Sequence, residues 1–129
     1  MTSIPADLRY LLEDPIVGHL ATVRPDGAPQ VEPMWFAFDG EHLRFTHTTT
    51  RGKYRNLQAN PGMALEVSNP TNPYEFIEVL GTLVAAEPDP TGSFYVELGR
   101  RYGMPDTQPP PDSPDRVVLV MSVEKVIRK

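Results

Sequence analysis

Turn signals cut this chain into short pieces, and that punctuation limits its fold more than any other feature. Pro25-Asp26-Gly27, Asp39-Gly40, Asn60-Pro61 and Asn69-Pro70-Thr71-Asn72-Pro73 each favour a tight reversal or forbid continuation of a helix. Between them lie six strand-like segments, at residues 16–24, 28–38, 43–46, 63–67, 75–86 and 116–127. In the first, Val17, Ala21 and Val23 share one face; in the third, Leu43 and Phe45 alternate with Arg44 and Thr46, as in a half-buried strand. Six short strands leave edges to protect, and closing them into a barrel does so while keeping a groove at the mouth. The expectation is a mainly β fold, a six-stranded antiparallel barrel with short flanking helices.

Three helices complete the reading. Residues 5–13 carry Pro5 in the first turn, Ser3 as a candidate cap and Pro15 as a stop, and are expected to lid the barrel. Residues 51–58 are helix-compatible and end before Asn60-Pro61. From residue 91 to 101, Phe94, Tyr95, Leu98 and Tyr102 recur at three- and four-residue steps up to Gly103, a natural helix end. The proline-rich loop over residues 103–114 is the only biased segment, and there is no internal repeat.

With 129 residues and 40% hydrophobic content, residues 1–129 are expected to form one domain. No apolar run approaches the roughly 20 residues of a spanning helix, and the N-terminus lacks a basic-then-apolar leader. The expectation is a cytoplasmic protein with no membrane partner. Absence of cysteine excludes disulfides, thiolate zinc sites and a cysteine nucleophile. His19, His42 and His47 do not stand at the helical spacing of a metal-binding pair, so no metal is expected.

A net charge of −5 disfavours nucleic acid as a partner. Charge is nevertheless uneven: no acidic residue stands between Glu41 and Glu66, whereas Arg44, Arg51, Lys53 and Arg55 do. Such a local basic patch suits a small anionic ligand.

Within that window Thr48-Thr49-Thr50 lead into Arg51-Gly52-Lys53 at the start of the second expected helix. Unpaired N–H groups and the helix dipole favour an anion there. Arg51 offers a bidentate fork, Lys53 an ammonium and the threonines hydroxyl donors, while Gly52 lets backbone come close. The segment matches neither the P-loop nor the dinucleotide glycine fingerprint. Taken alone, it reads more readily as an ordinary solvated helix face capped by threonines.

The order Leu20-Ala21-Thr22, Asp26-Gly27-Ala28-Pro29, Pro33-Met34-Trp35-Phe36, Lys53-Tyr54-Arg55-Asn56-Leu57 and Tyr74-Glu75-Phe76-Ile77-Glu78-Val79-Leu80-Gly81 resembles the pyridoxamine-phosphate-oxidase-like superfamily. More narrowly, it is similar to the actinobacterial deazaflavin-dependent reductases of the split β-barrel type, over roughly residues 6–127. The resemblance implies a homodimer with its site at the subunit interface and coenzyme F420 as cofactor, FMN serving sister groups. It implies that Arg51, Gly52 and Lys53 hold the cofactor phosphate with Thr48 and Asn56 assisting, and that Pro33, Met34 and Trp35 lie along the tricyclic ring. Relatives often carry basic residues where this chain has Glu75 and Leu80, so contacts to a polyanionic tail are not implied there. Tyr74 and Phe76 would be aromatic neighbours from the second subunit or, the simpler reading, buried residues of the dimer interface. Nine arginines against three lysines, with 15 prolines, point to a GC-rich genome, in which the deazaflavin is commoner.

The implied activity is hydride transfer from C5 of the reduced cofactor to an electron-poor double bond of a small molecule. The cofactor carries that chemistry, which accounts for the lack of a recognisable carboxylate pair or nucleophile–base arrangement. His19, His47 and Tyr74 are the candidate proton donors. The alternatives are an FMN-dependent oxidase or reductase of the same fold and a non-catalytic F420-binding protein. A haem-handling role, which would require His19 or His47 as axial ligand, is the weakest option.

Overall fold

In the computed structural model, which describes residues 2–128, the strands are β1 (Gly18–Val23), β2 (Pro29–Met34), β3 (Ala37–Phe38), β4 (Leu43–Thr48), β5 (Gly62–Asn69), β6 (Asn72–Pro88), β7 (Arg116–Met121) and β8 (Lys125–Arg128). The helices are α1 (Tyr10–Glu13), α2 (Gly52–Ala59) and α3 (Ser93–Arg101), with single 3₁₀ turns at Ala6–Leu8 and Ser113–Asp115. All strand pairs are antiparallel, in the order β2-β1-β5-β6-β7-β4-β3, and β8 also pairs with β6.

The 17-residue β6 is the spine of this sheet. Its first part pairs with β5 and its last part with β7. The outermost strands of the path, β2 and β3, are separated only by Trp35-Phe36. The sheet therefore curls until its two ends are joined by the chain itself.

Two sequence expectations need correction. Eight strands stand where six were expected, because two of the six segments are interrupted. Residues 28–38 break at Trp35-Phe36, where the chain passes from one end of the sheet to the other. Residues 116–127 break at 122–124, where Ser122 N–H still donates to Thr82 O (3.0 Å) and Glu124 N–H to Leu80 O (2.9 Å), so β7 and β8 follow one edge of β6. The barrel is also not closed by a hydrogen-bonded ladder, since β2 and β3 do not pair.

The face of β1 holding Val17, Ala21 and Val23 turns away from the core; Gly18, Leu20 and Thr22 are the buried set. Inside, Phe45 faces Leu119, Leu43 faces Met121 and Leu65 faces Val79, all fully buried. Each such side chain contributes about 2 kcal/mol of burial. Leu8, Leu11 and Leu12, at the spacing of one helical face, lid this core as expected, although Pro5 and not Ser3 occupies the cap position.

The carbonyls at the end of that lid are satisfied by Arg101, whose guanidinium donates to Leu12 O, Glu13 O, Asp14 O and Phe36 O at 2.9–3.2 Å. Tyr102 hydroxyl donates to Ile16 O (2.9 Å) and accepts from Phe36 N–H (3.2 Å). The end of α3 thus fixes both the lid and the Trp35-Phe36 crossing. As expected, Gly103 ends the helix, with φ 85°.

Asp39 organises the β3–β4 turn. Its carboxylate accepts from Glu41 N–H (2.9 Å), His42 N–H (2.6 Å) and Arg44 Nε (2.8 Å). Burial alone would raise this carboxyl, but the His42 N–H, the Arg44 guanidinium and the Glu41 N–H outweigh it and hold the pKa at about 2. Because the folded value is depressed, the stabilisation is complete above the ordinary value of 3.8 and is lost as pH falls through about 2. Asp39→Asn should cost about 1 kcal/mol at pH 7, allowing for solvent screening, and much less at pH 2. Urea melts at the two pH values check this; an equal deficit at both would refute it.

Candidate functional site

The end of β2, the end of β4, the start of β7 and the N-terminus of α2 converge on one groove of about 340 Å³. Register explains part of this convergence: His47 pairs with Val117 and Thr48 with Arg116, so the residues leading into α2 lie beside the first residues of β7. Glu32, Pro33, Met34 and Trp35 line the groove from β2, Thr46 and His47 from β4, and Arg51, Tyr95 and Arg116 complete it. Trp35 is held by an offset stack on Tyr102, with ring centroids 5.2 Å apart and planes 10° from parallel.

Arg51 occupies the cap position of α2 without a side-chain cap, so the first-turn N–H groups of the helix have no side-chain acceptor. Gly52 has no positive φ, and a Cβ there would meet nothing within 4 Å. Neither backbone conformation nor packing requires a glycine at this position. The open space above a helix start is what a closely approaching anion would use.

Three cations surround the groove, each in a different state. Arg116 is buried, donates from Nε to Asp112 Oδ1 (3.0 Å) and lies 4.9 Å from the Tyr95 ring centroid. Arg51 is 61% exposed and reaches only the other Asp112 oxygen, at 3.8 Å. Lys53 is 4% exposed, and its ammonium donates to Glu32 Oε2 at 2.7 Å. That bond is the main reason the Glu32 carboxyl sits below its ordinary range, with burial opposing. His47 is pushed down to about 4, first by burial and then by Lys53 and Arg51.

Of the residues singled out from sequence, Pro33, Met34, Trp35 and Arg51 share this groove. Gly52 and Asn56 line an adjacent one of about 340 Å³, with Arg24, Gln30 and Arg55. The Asn56 amide donates to Thr22 Oγ1 (3.1 Å) and Gln30 Oε1 (3.0 Å), bracing α2 on β1 and β2. Thr48 is fully buried, its hydroxyl 3.1 Å from that of Thr50. His19 lies on the outward face of β1, 3.0 Å from Glu66, and Tyr74 is exposed at the start of β6. Glu75 accepts from the Tyr10 hydroxyl.

Sequence reasoning missed Glu32, Tyr95, Asp112 and Arg116 as site residues. None carries a local signal: Glu32 and Arg116 reach the groove from β2 and β7, Tyr95 from α3, and Asp112 from the loop over residues 103–114. Thr107 of that loop packs on Gly99 of α3, where a Cβ would come within 2.1 Å of its hydroxyl.

The sequence profile described as pyridoxamine 5'-phosphate oxidase matches residues 4–129. The chain belongs to the pyridoxamine 5'-phosphate oxidase family. Within reach of this family member is a solved structure named F420 reductase, 54% identical, covering 98% of this chain and 100% of that one with a TM-score of 0.94. A conserved protein from Mycobacterium tuberculosis (20% identity, 98% of this chain and 84% of that one, TM-score 0.76) shares the fold. So does general stress protein 26 from Bacillus anthracis (20% identity, 92% and 88% coverage, TM-score 0.71). The sequence matches no curated protein.

Proposed function

We propose that this protein is a deazaflavin-dependent oxidoreductase that uses coenzyme F420 to reduce an electron-poor double bond of a small molecule. The observation that carries this reading is the end-to-end likeness, at 54% identity, to the structure named F420 reductase. The residues present fit such a group: an uncapped helix start with an unforced glycine, two arginines on one groove, and an apolar wall alongside.

When bound, the reduced cofactor supplies a hydride from C5. The protein's part is to bind, orient and exclude water. Arg51 and the first-turn N–H groups of α2 form the phosphate anchor, while Pro33, Met34 and Trp35 offer a face for the tricyclic ring. Tyr102, stacked on Trp35 and bonded to the Ile16 carbonyl, keeps that wall rigid. Arg116, fixed by Asp112 and Tyr95, is a second preorganised charge.

A homodimer belongs to the same proposal. Val31, Ala21, Ala64 and Leu80 are register partners across β2, β1, β5 and β6, on the face turned from the core. Val31, 64% exposed, sits on that apolar row near the groove wall, and a second copy seated there would border the site.

Native mass spectrometry after incubation with coenzyme F420 and with FMN tests both parts. The expected result is a dimer retaining the deazaflavin in preference to FMN. Preferential FMN retention would make the protein an FMN-dependent member of the family. Retention of neither would refute the cofactor assignment, and deazaflavin retention without turnover of enones or quinones would leave a binding protein.

A further inference from the structure

Beside the groove, α3 and the loop that follows it border a second cavity of about 430 Å³, lined by Tyr95, Met104, Pro105, Asp106, Thr107 and Gln108. Tyr95 lines both spaces, so the two adjoin at that side chain. Its ring is steadied by the Arg116 guanidinium, 4.9 Å from the centroid. The turn carrying Met104 is equally fixed. Met104 N–H donates to Gly99 O (2.9 Å), and Met104 O accepts from Thr107 N–H (3.2 Å) and Thr107 Oγ1 (2.6 Å). The backbone of Met104 is therefore tied on both sides, while its side chain stays 53% exposed. A large apolar side chain held half in water by a rigid turn, at the edge of a cavity, adds little to the core and is available to a ligand.

We propose that this cavity is a substrate subsite, and that Met104 is a specificity-determining residue within it. The electron-poor ring of the substrate lies in the groove, and an apolar body of at least one further ring extends past Tyr95 onto Met104 and Pro105. This reading rests on the groove being the cofactor site, and it names the substrate class: neutral acceptors with an apolar body beyond the reacting ring. Neutrality follows from the lining. Among the described residues bordering the cavity, Asp106 is the one that carries charge, whereas Arg51 and Arg116 stand on the groove. An anionic body would meet that carboxylate with no cation beside it. The unbranched, polarisable thioether of Met104 suits flat rings of differing outline.

The test compares 4-pyranone with chromone, its benzo-fused counterpart, titrated calorimetrically into protein loaded with oxidised coenzyme F420, so that no turnover is needed. Wild type should bind chromone about ten-fold more tightly, the effect of burying one added apolar ring. Met104→Asp and Met104→Ser should remove most of that preference, and Met104→Leu should keep it. Val84→Asp is the control: Val84 is also 53% exposed but lines neither cavity, and the preference should stay as in wild type. Chromone-6-carboxylate should bind less tightly than chromone. A wild type without preference for the second ring overturns the inference, as do an unchanged preference in both polar Met104 variants, an equal loss in Val84→Asp, or tighter binding of the carboxylate. Conversion of Met104→Asp from dimer to monomer at an unchanged preference also overturns it, assigning Met104 to a contact between subunits. Each of these results leaves the cofactor assignment intact. Failure of the wild type to retain coenzyme F420 by native mass spectrometry overturns that assignment, and this inference with it.

Discussion

Gly81→Ala should destabilise the protein by about 3 kcal/mol or more. A Cβ on Gly81 would lie 1.9 Å from the Ser122 carbonyl oxygen and 2.8 Å from its carbon. The obstruction is backbone, so no rotamer change relieves it. To make room, residues 122–124 must lift from β6, breaking Ser122 N–H to Thr82 O and Glu124 N–H to Leu80 O. The side-chain cluster of Thr82, Ser122 and Glu124, with Thr82 Oγ1 to Glu124 Oε2 at 2.8 Å, would go with them. Urea denaturation provides the check, and a loss under about 0.5 kcal/mol would show that β8 can shift freely. Gly52→Ala makes an apt control, because its Cβ meets nothing and its effect on folding should be small.

The contrast between these glycines shows what was legible in the sequence. The six strand segments were readable because each is local: alternation over a few residues, bounded by turn residues. Gly27 and Gly40 have positive φ in the turns where Asp-Gly dipeptides indicated them. What could not be read was where a strand stops pairing. At Gly81 and Ser122 the break comes from two backbones meeting across 41 residues of sequence, and at Trp35-Phe36 from the curl of the whole sheet. Neither leaves a pattern in a short window.

The site divides the same way. The start of α2 at Arg51-Gly52 was visible because a helix start is a local event. Glu32 was not, for on β2 it reads as one more polar residue of an edge strand; its meaning comes from Lys53, which α2 brings within 2.7 Å of its carboxylate. Asn56, named through the family resemblance, has a structural role that no local pattern showed: its amide donates to Thr22 of β1 and Gln30 of β2.

That rearrangement of roles changes what a mutational test should find. Arg51→Ala is expected to weaken binding of the cofactor about 100-fold with little loss of stability. Arg51 is the exposed cation of the groove, its contact with Asp112 is long at 3.8 Å, and its guanidinium can turn to a phosphate without leaving a buried charge behind. Lys53 differs because its ammonium is already buried against Glu32. Lys53→Met should therefore affect binding less than Arg51→Ala, with part of its effect on folding. Glu32→Gln isolates the pair: it leaves a buried ammonium without its anion, at a cost of about 2 kcal/mol once the solvent access of Glu32 is allowed for. A bound phosphate would restore a counter-charge, so Glu32→Gln should be less stable alone yet bind the phosphorylated cofactor more tightly than wild type. Calorimetric titration of the three variants, alongside urea melts, separates the possibilities. Equal losses of affinity in Arg51→Ala and Lys53→Met at wild-type stability would mean that Lys53 leaves Glu32 to grip the phosphate directly. Weaker binding in Glu32→Gln would mean instead that the carboxylate itself holds the groove in its binding shape.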